Sequence, residues 1–224
     1  MTRQEELVAA LWGERGSPFD GFPHALYATD TQGWNSTHPY LAQTIREARP
    51  RTIVEVGVWK GRSTLTMART VREMELDAAI VCVDSWVGSF EHWLRPDIFT
   101  DLKHQHGWPH LFYTFMANCV AEGVEDIVVP LPAVSRAASR ILEARGVRPD
   151  LVHVDAGHDY DSVRSDLTHW WARLEPGGWL IADDYDPHNG VWPDVRRAVD
   201  DFLGETQHDG FESADLKCRF RKPA

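Results

Sequence analysis

Thr52-Ile-Val-Glu-Val-Gly57-Val-Trp-Lys-Gly61-Arg-Ser-Thr64 changes character halfway along. Its first five residues are an unbroken β-branched and apolar run interrupted only by Glu55, which predicts a strand buried on both faces. From Ser63 to Met74 the spacing becomes helical. The two glycines between let the chain turn tightly and bring backbone N–H groups toward a ligand at a helix N-terminus. Outward from this unit the alternation repeats. Strands are predicted at 79–83, 126–131, 151–154 and 179–182, and helices over 135–145, 160–173 and from about Pro193 to Leu203. Residues 211–214 and 217–221 read as a terminal strand pair. Strand–helix–strand repeats with right-handed crossovers make an α/β fold with a doubly wound, mostly parallel sheet. Upstream, residues 4–13 read as a short amphipathic helix stopped by Gly13 and Gly16, and residues 39–48 as another. Between them, Ser17 to Tyr40 is dense in Gly, Pro and aromatics, and a connection of that length is usually functional. The alternation breaks once, from Ser85 to Glu125, where Trp86, Phe90, Trp93, Phe99, Trp108, Phe112, Tyr113 and Phe115 replace a simple crossover. That insertion is either a satellite hydrophobic cluster or a wall over a cleft at the strands' carboxyl ends.

The chain has 224 residues, of which 43% are hydrophobic and 16 are Gly, enough apolar material for one full core and too much for a disordered chain. We read it as a single domain over 1–224, with 1–40 as N-terminal helix and lid and 85–125 as the insertion. Lys and Arg number 23 against 34 Asp and Glu, a net charge of −11. With no basic stripe, neither nucleic acid nor an anionic membrane is an expected partner. Mean hydropathy is −0.38 and no apolar run approaches ~20 residues, so no membrane span is expected. The first residues alternate charged and apolar side chains without the shape of a signal peptide. Cys82, Cys119 and Cys218 are too scattered for a disulfide framework, which points to a reducing, cytoplasmic setting.

Three groups of residues carry candidate chemistry. The glycine turn is spaced Gly-x-x-x-Gly, unlike the Gly-x-Gly-x-x-Gly of nicotinamide enzymes. Glu55 before it suits a cationic ligand better than a pyrophosphate. Asp84 ends the second strand, where doubly wound folds place an acid on ribose hydroxyls; the plain alternative is a solvated strand end. Together they describe a nucleoside with a cationic end group, and S-adenosylmethionine fits that description. Asp155 closes the fourth strand and Asp183 and Asp184 the fifth. Three carboxylates at neighbouring strand ends either lose charge or hold a cation, and an all-oxygen set suits Mg²⁺, Ca²⁺ or Mn²⁺. The plain alternative is that some of them cap the following helices. His158, three residues past Asp155, is a candidate general base. His104 and His106 form an H-x-H pair with no strand to align them, and Cys82 and Cys119 read as buried apolar residues.

Glu55 through Thr64, Asp84-Ser85-Trp86, Ser135, the run from His153 to Tyr160 and the run from Leu174 to Tyr185 resemble class I S-adenosylmethionine-dependent methyltransferases. Within that class the chain is most similar to the macrocin and mycinamicin O-methyltransferase-like enzymes and their cephalosporin hydroxylase-like relatives. The resemblance spans roughly residues 40–205. It implies a seven-stranded sheet and S-adenosylmethionine along the ends of the first four strands, against Glu55, Gly57, Gly61, Ser63, Thr64, Asp84, Ser85, Trp86, Ser135 and Asp155. It implies Mg²⁺ or another divalent cation on Asp155, Asp183 and Asp184, with His158 as base beside Asp155. It also implies a small-molecule acceptor, a sugar or catechol-like hydroxyl of a natural-product pathway, and a homo-oligomer. Two other classes remain open on the residues alone: a nicotinamide-dependent oxidoreductase, and a non-catalytic protein that keeps the cofactor fold.

Overall fold

The computed structural model describes residues 1–95, 102, 104–186, 188 and 190–224. Strands β1 (Thr52–Val56), β2 (Ala79–Asp84), β3 (Val128–Pro132), β4 (Leu151–Val154), β5 (Trp179–Ala182), β6 (Asp209–Ala214) and β7 (Lys217–Arg221) form one seven-stranded sheet in the order 3-2-1-4-5-7-6. The first five are parallel, and β7 pairs antiparallel with both β5 and β6. The helices are α1 (Arg3–Trp12), α2 (Pro39–Ala48), α3 (Arg62–Glu73), α4 (Phe90–Leu94), α5 (Leu111–Glu122), α6 (Ser135–Ala144), α7 (Tyr160–Arg173) and α8 (Pro193–Glu205). Sheet order reverses between β1 and β4, and that switch point is where doubly wound folds open a crevice.

Every residue of β1 is buried because helices cover both faces. Alternation along the central strands sends Val54, Val56, Val81, Val83 and Val152 to one core with α1, α6, α7 and α8. It sends Ile53, Ile80, Cys82 and Leu151 to the other, with α2, α3 and α5. Burying each such side chain stabilises the fold by roughly 1.5–3 kcal/mol. Glu55 shares the second face, so its carboxylate points into a core and away from solvent.

Two expectations need correction. The third strand begins at Val128, because Ile127 N–H closes a turn on the Val124 carbonyl. The connection between β2 and β3 does hold a crossover helix, α5, whose apolar residues run around its whole circumference and so hid its period; Leu111, Phe115, Met116 and Cys119 are buried. Trp86 packs against its Phe112 and Phe115, whereas Phe90, Trp93 and Trp108 are exposed. Phe99 lies outside the described residues. The helix expected near the N-terminus is present as α1, with Gln4, Leu7 and Leu11 buried. Thr2 and Glu5 form a reciprocal capping box, Leu7 and Leu11 are buried in the first core, and Trp12 Nε1 donates to the Pro130 carbonyl at 3.1 Å. No helix among the described residues is long and apolar enough to cross a membrane.

Candidate active site

A cavity of about 1220 Å³ opens at the carboxyl ends of β1, β2, β4 and β5. Gly57, Ser63, Asp84, Ser85, Ser135, Asp155, His158, Asp183 and Asp184 all line it. Gly57 is required there. Its φ is +85°, and a Cβ on it would fall 1.8 Å from the Asp155 carbonyl oxygen. That close approach joins the ends of β1 and β4, with Asp155 N–H donating to Val56 at 2.7 Å and Gly57 N–H to Val83 at 2.9 Å.

Asp84 is tied down by backbone amides. Oδ2 accepts from Val58 N–H at 2.8 Å and Trp59 N–H at 2.9 Å, and Oδ1 from Trp86 N–H at 2.7 Å. Burial pushes its carboxyl pKa up, and those three amides oppose the rise. A carboxylate offers about four lone-pair sites, so acceptor capacity remains toward the cavity. The same bonds shape the wall, holding Trp59 and Trp86 at φ +53°.

Glu55, Gly61, Thr64 and Trp86, expected at the cofactor, do not line the cavity. Glu55 is fully buried, accepts from Thr64 Oγ1 and sits 3.2 Å from His153 Nδ1. Gly61 starts α3 at φ +86° and lets Phe115 pack against it. Trp86 lies under the wall, with its ring 5.1 Å from Phe115 and its Nε1 donating to the Trp59 carbonyl at 2.9 Å. These four shape the turn from below.

The three carboxylates do converge, but not as a free set. Asp183 is buried, pairs with the fully buried Lys217, and accepts at Oδ1 from Asn35 Nδ2 at 3.1 Å and from Asp184 N–H at 2.9 Å. Burial alone raises its pKa, yet the Lys217 charge, with His153, outweighs this and holds Asp183 below the usual carboxylate range. Asp155 goes the other way. Burial, then the charge of Asp183 beside it, pushes its carboxyl pKa well up. Asp184 lies 3.0 Å from His158 Nε2, and the His158 ring stacks on Trp192 at 4.2 Å. Ligand-type atoms of Asp155 fall within 4.8 Å of two separate groups, His153 with Asp183 and His158 with Asp184. The predicted metal set of Asp155, Asp183 and Asp184 is therefore not brought together as a free set: Asp155 and Asp184 group with His158, and an ammonium already sits on Asp183. Nor do these acids cap helices: Asp159 caps α7, accepting from Ser162 N–H at 3.0 Å, and α8 has no side-chain cap.

Several site residues are not singled out by the sequence reading. Gln32 to Ser36, within the 17–40 segment read as functional, line the cavity and so form one wall. Asp30 and Lys60 anchor that segment in an ion pair of 2.5 Å, with Asn118 holding the Asp30 backbone. Trp59 stacks on His92 at 4.4 Å. Asp166 of α7 accepts from Ser135 Oγ at 2.5 Å, and burial raises its pKa to about 6. Lys217 carried one usable signal, a charged residue at the head of an otherwise strand-like tail. His104 precedes a tight turn closed by Gln105 and Trp108, His106 sits within that turn, and neither lines the cavity.

A methyltransferase-domain family model matches residues 54–185, more than half of the chain. Over 71% of its length the chain is 26% identical to y4gI, an uncharacterised protein of Sinorhizobium fredii, and spans 16% of that much longer protein. Among solved structures it is similar to the S-adenosylhomocysteine-bound methyltransferase PaMTH1 of Podospora anserina, with TM-score 0.62, 17% identity and coverage of 97% of this chain and 87% of that one. It is also similar to TomG of Streptomyces achromogenes, an O-methyltransferase of tomaymycin synthesis in complex with S-adenosylmethionine. There the TM-score is 0.58, with 17% identity and coverage of 99% and 90%. At such identities these structures establish the fold.

Proposed function

Since this chain belongs to the methyltransferase-domain family, we propose that it transfers the methyl group of S-adenosylmethionine to a hydroxyl oxygen of a small molecule. One observation carries the reading. Asp84 and Asp155 end β2 and β4 on either side of the Gly57 turn, and both face one cleft with the His158–Asp184 pair. The lining is acidic, with Asp84, Asp155, Asp161, Asp166, Asp184 and Asp186 against Arg62, Arg95 and Arg136, while Asp183 is paired with Lys217. Such a field favours a cationic ligand such as a sulfonium that also carries an ammonium group.

In this reading Asp84 accepts from the ribose hydroxyls, Ser85 and Ser135 flank the adenine, and Gly57 with Ser63 faces the methionine end. When bound, the cofactor supplies an electrophilic methyl; the O–C bond forms as the S–C bond breaks. The chain's task is to orient the acceptor oxygen in line and take its proton. His158 accepts that proton, and Asp184, 3.0 Å from its Nε2, orients the ring and steadies the charge it gains. Trp192, stacked on the same ring, keeps water from one side. Trp34, Phe90, Leu94 and Val191 present exposed apolar surface along the lining, which suits an acceptor with a ring face, catechol-like or glycosidic. No step is routed through a divalent cation, because Lys217 occupies Asp183.

Thermal denaturation with S-adenosylhomocysteine and with NAD tests the assignment. At one hundred times its Kd, a ligand of the native state adds about 2.7 kcal/mol. The expected result is a clear rise in Tm with S-adenosylhomocysteine and none with NAD; the reverse pattern overturns the proposal.

A further inference from the structure

A continuous row of buried polar groups runs beneath the cleft floor. Thr64 Oγ1 donates to Glu55, Glu55 Oε1 lies 3.2 Å from His153 Nδ1, and His153 Nε2 lies 3.2 Å from Lys217 Nζ. Lys217 then meets Asp183, which shares a hydrogen bond with Asp155. An ammonium has three donors and no acceptor, so His153 Nε2 accepts and its Nδ1–H donates to Glu55. The strands impose the row. Glu55 pairs with His153 in the β1–β4 register, and the pairing of Ala182 with Cys218 sets Lys217 beside Asp183. Lys217 is fully buried, although Lys is almost never so without partners. Its Nζ lies against Asp183 Oδ2 and His153 Nε2, so it supplies from below the positive charge that the buried carboxylate needs. A divalent ion added at Asp183 would meet that like charge in a poorly solvated interior.

We infer that Lys217 is the resident cation of this carboxylate cluster, holding Asp183 and through it Asp155 where a divalent metal ion would otherwise hold them. The inference takes the identity of the cleft from the methyltransferase reading, and its test is read on metal binding alone. Lys217 acts as a positioning residue, since it touches the carboxylates from below and does not line the cavity.

Full-length protein, dialysed against EDTA and then freed of it, is titrated with Mn²⁺ while electron paramagnetic resonance follows the free ion. The wild type is expected to leave the Mn²⁺ signal unchanged into the millimolar range. Lys217→Ala opens the cluster, and Mn²⁺ affinity rises by about tenfold or more; adding Asp183→Asn abolishes the gain. Stoichiometric micromolar uptake by the wild type, lost in Asp183→Asn or Asp184→Asn, overturns the inference. If Lys217→Ala does not fold, the wild-type and Asp183→Asn titrations decide alone. Calorimetry with S-adenosylhomocysteine on the same wild-type sample separates the two ideas. Absent binding there counts against the methyltransferase reading, while an unchanged Mn²⁺ signal still supports Lys217 as the cation.

Discussion

Asp84 and Asp183 are equivalent by position, each closing a parallel strand at the same rim, yet they are satisfied by opposite means. Asp84 is held by three backbone amides, two from the β1–α3 turn and one two residues ahead. Asp183 is held by a full charge, Lys217, delivered by the antiparallel hairpin at the far edge of the sheet. Amides bind a carboxylate without neutralising it, so Asp84 remains an acceptor for a ligand's hydroxyls. An ammonium cancels the charge, which leaves Asp183 paired within the protein. The lesson is that an acid at a strand end takes its role from its partner.

The sharpest way to break this contrast is to delete the cation. Lys217→Met keeps length and removes charge, leaving Asp183 buried and unpaired. The expected loss is about 3–5 kcal/mol, read from the urea midpoint, and combining it with Asp183→Asn should restore much of it. A loss below about 1 kcal/mol would make the pair no more than a surface-type contact.

Asp166 sharpens the contrast because its hydrogen-bond partner is a hydroxyl, Ser135 Oγ, with His169 nearby. Its folded pKa of about 6 lies above the unfolded value of 3.8, so the native state binds more protons between them. Stability contributed by Asp166 is therefore present at low pH and lost as pH rises from about 4 through 6. The loss is roughly 3 kcal/mol. Asp166→Asn should flatten that slope in denaturation measured across the window.

The smallest effect is expected at the amide-held acid. Asp84→Asn keeps one acceptor oxygen and strands at least one amide, costing about 1–3 kcal/mol of stability. It should also weaken S-adenosylhomocysteine binding by calorimetry. Unchanged affinity would reduce Asp84 to a clamp on the turn.

The sequence by itself determined the parallel α/β order, the glycine turn, and the rim positions of Asp84, Asp155, His158, Asp183 and Asp184. Those features are written in local period and in residues at strand ends, and hydrophobic periodicity reports the local geometry directly. It also misled where period was absent: α5 is apolar all round, and so read as an insertion. Only the tertiary structure decided which face Glu55 takes, which atoms Asp84 meets, and that a lysine reaches the carboxylates. Lys217 follows Asp183 by a helix and a hairpin, and it becomes Asp183's neighbour only because β7 runs antiparallel beside β5 in one particular register. Partnership of that kind is a product of strand order and register, and no short stretch of sequence contains it.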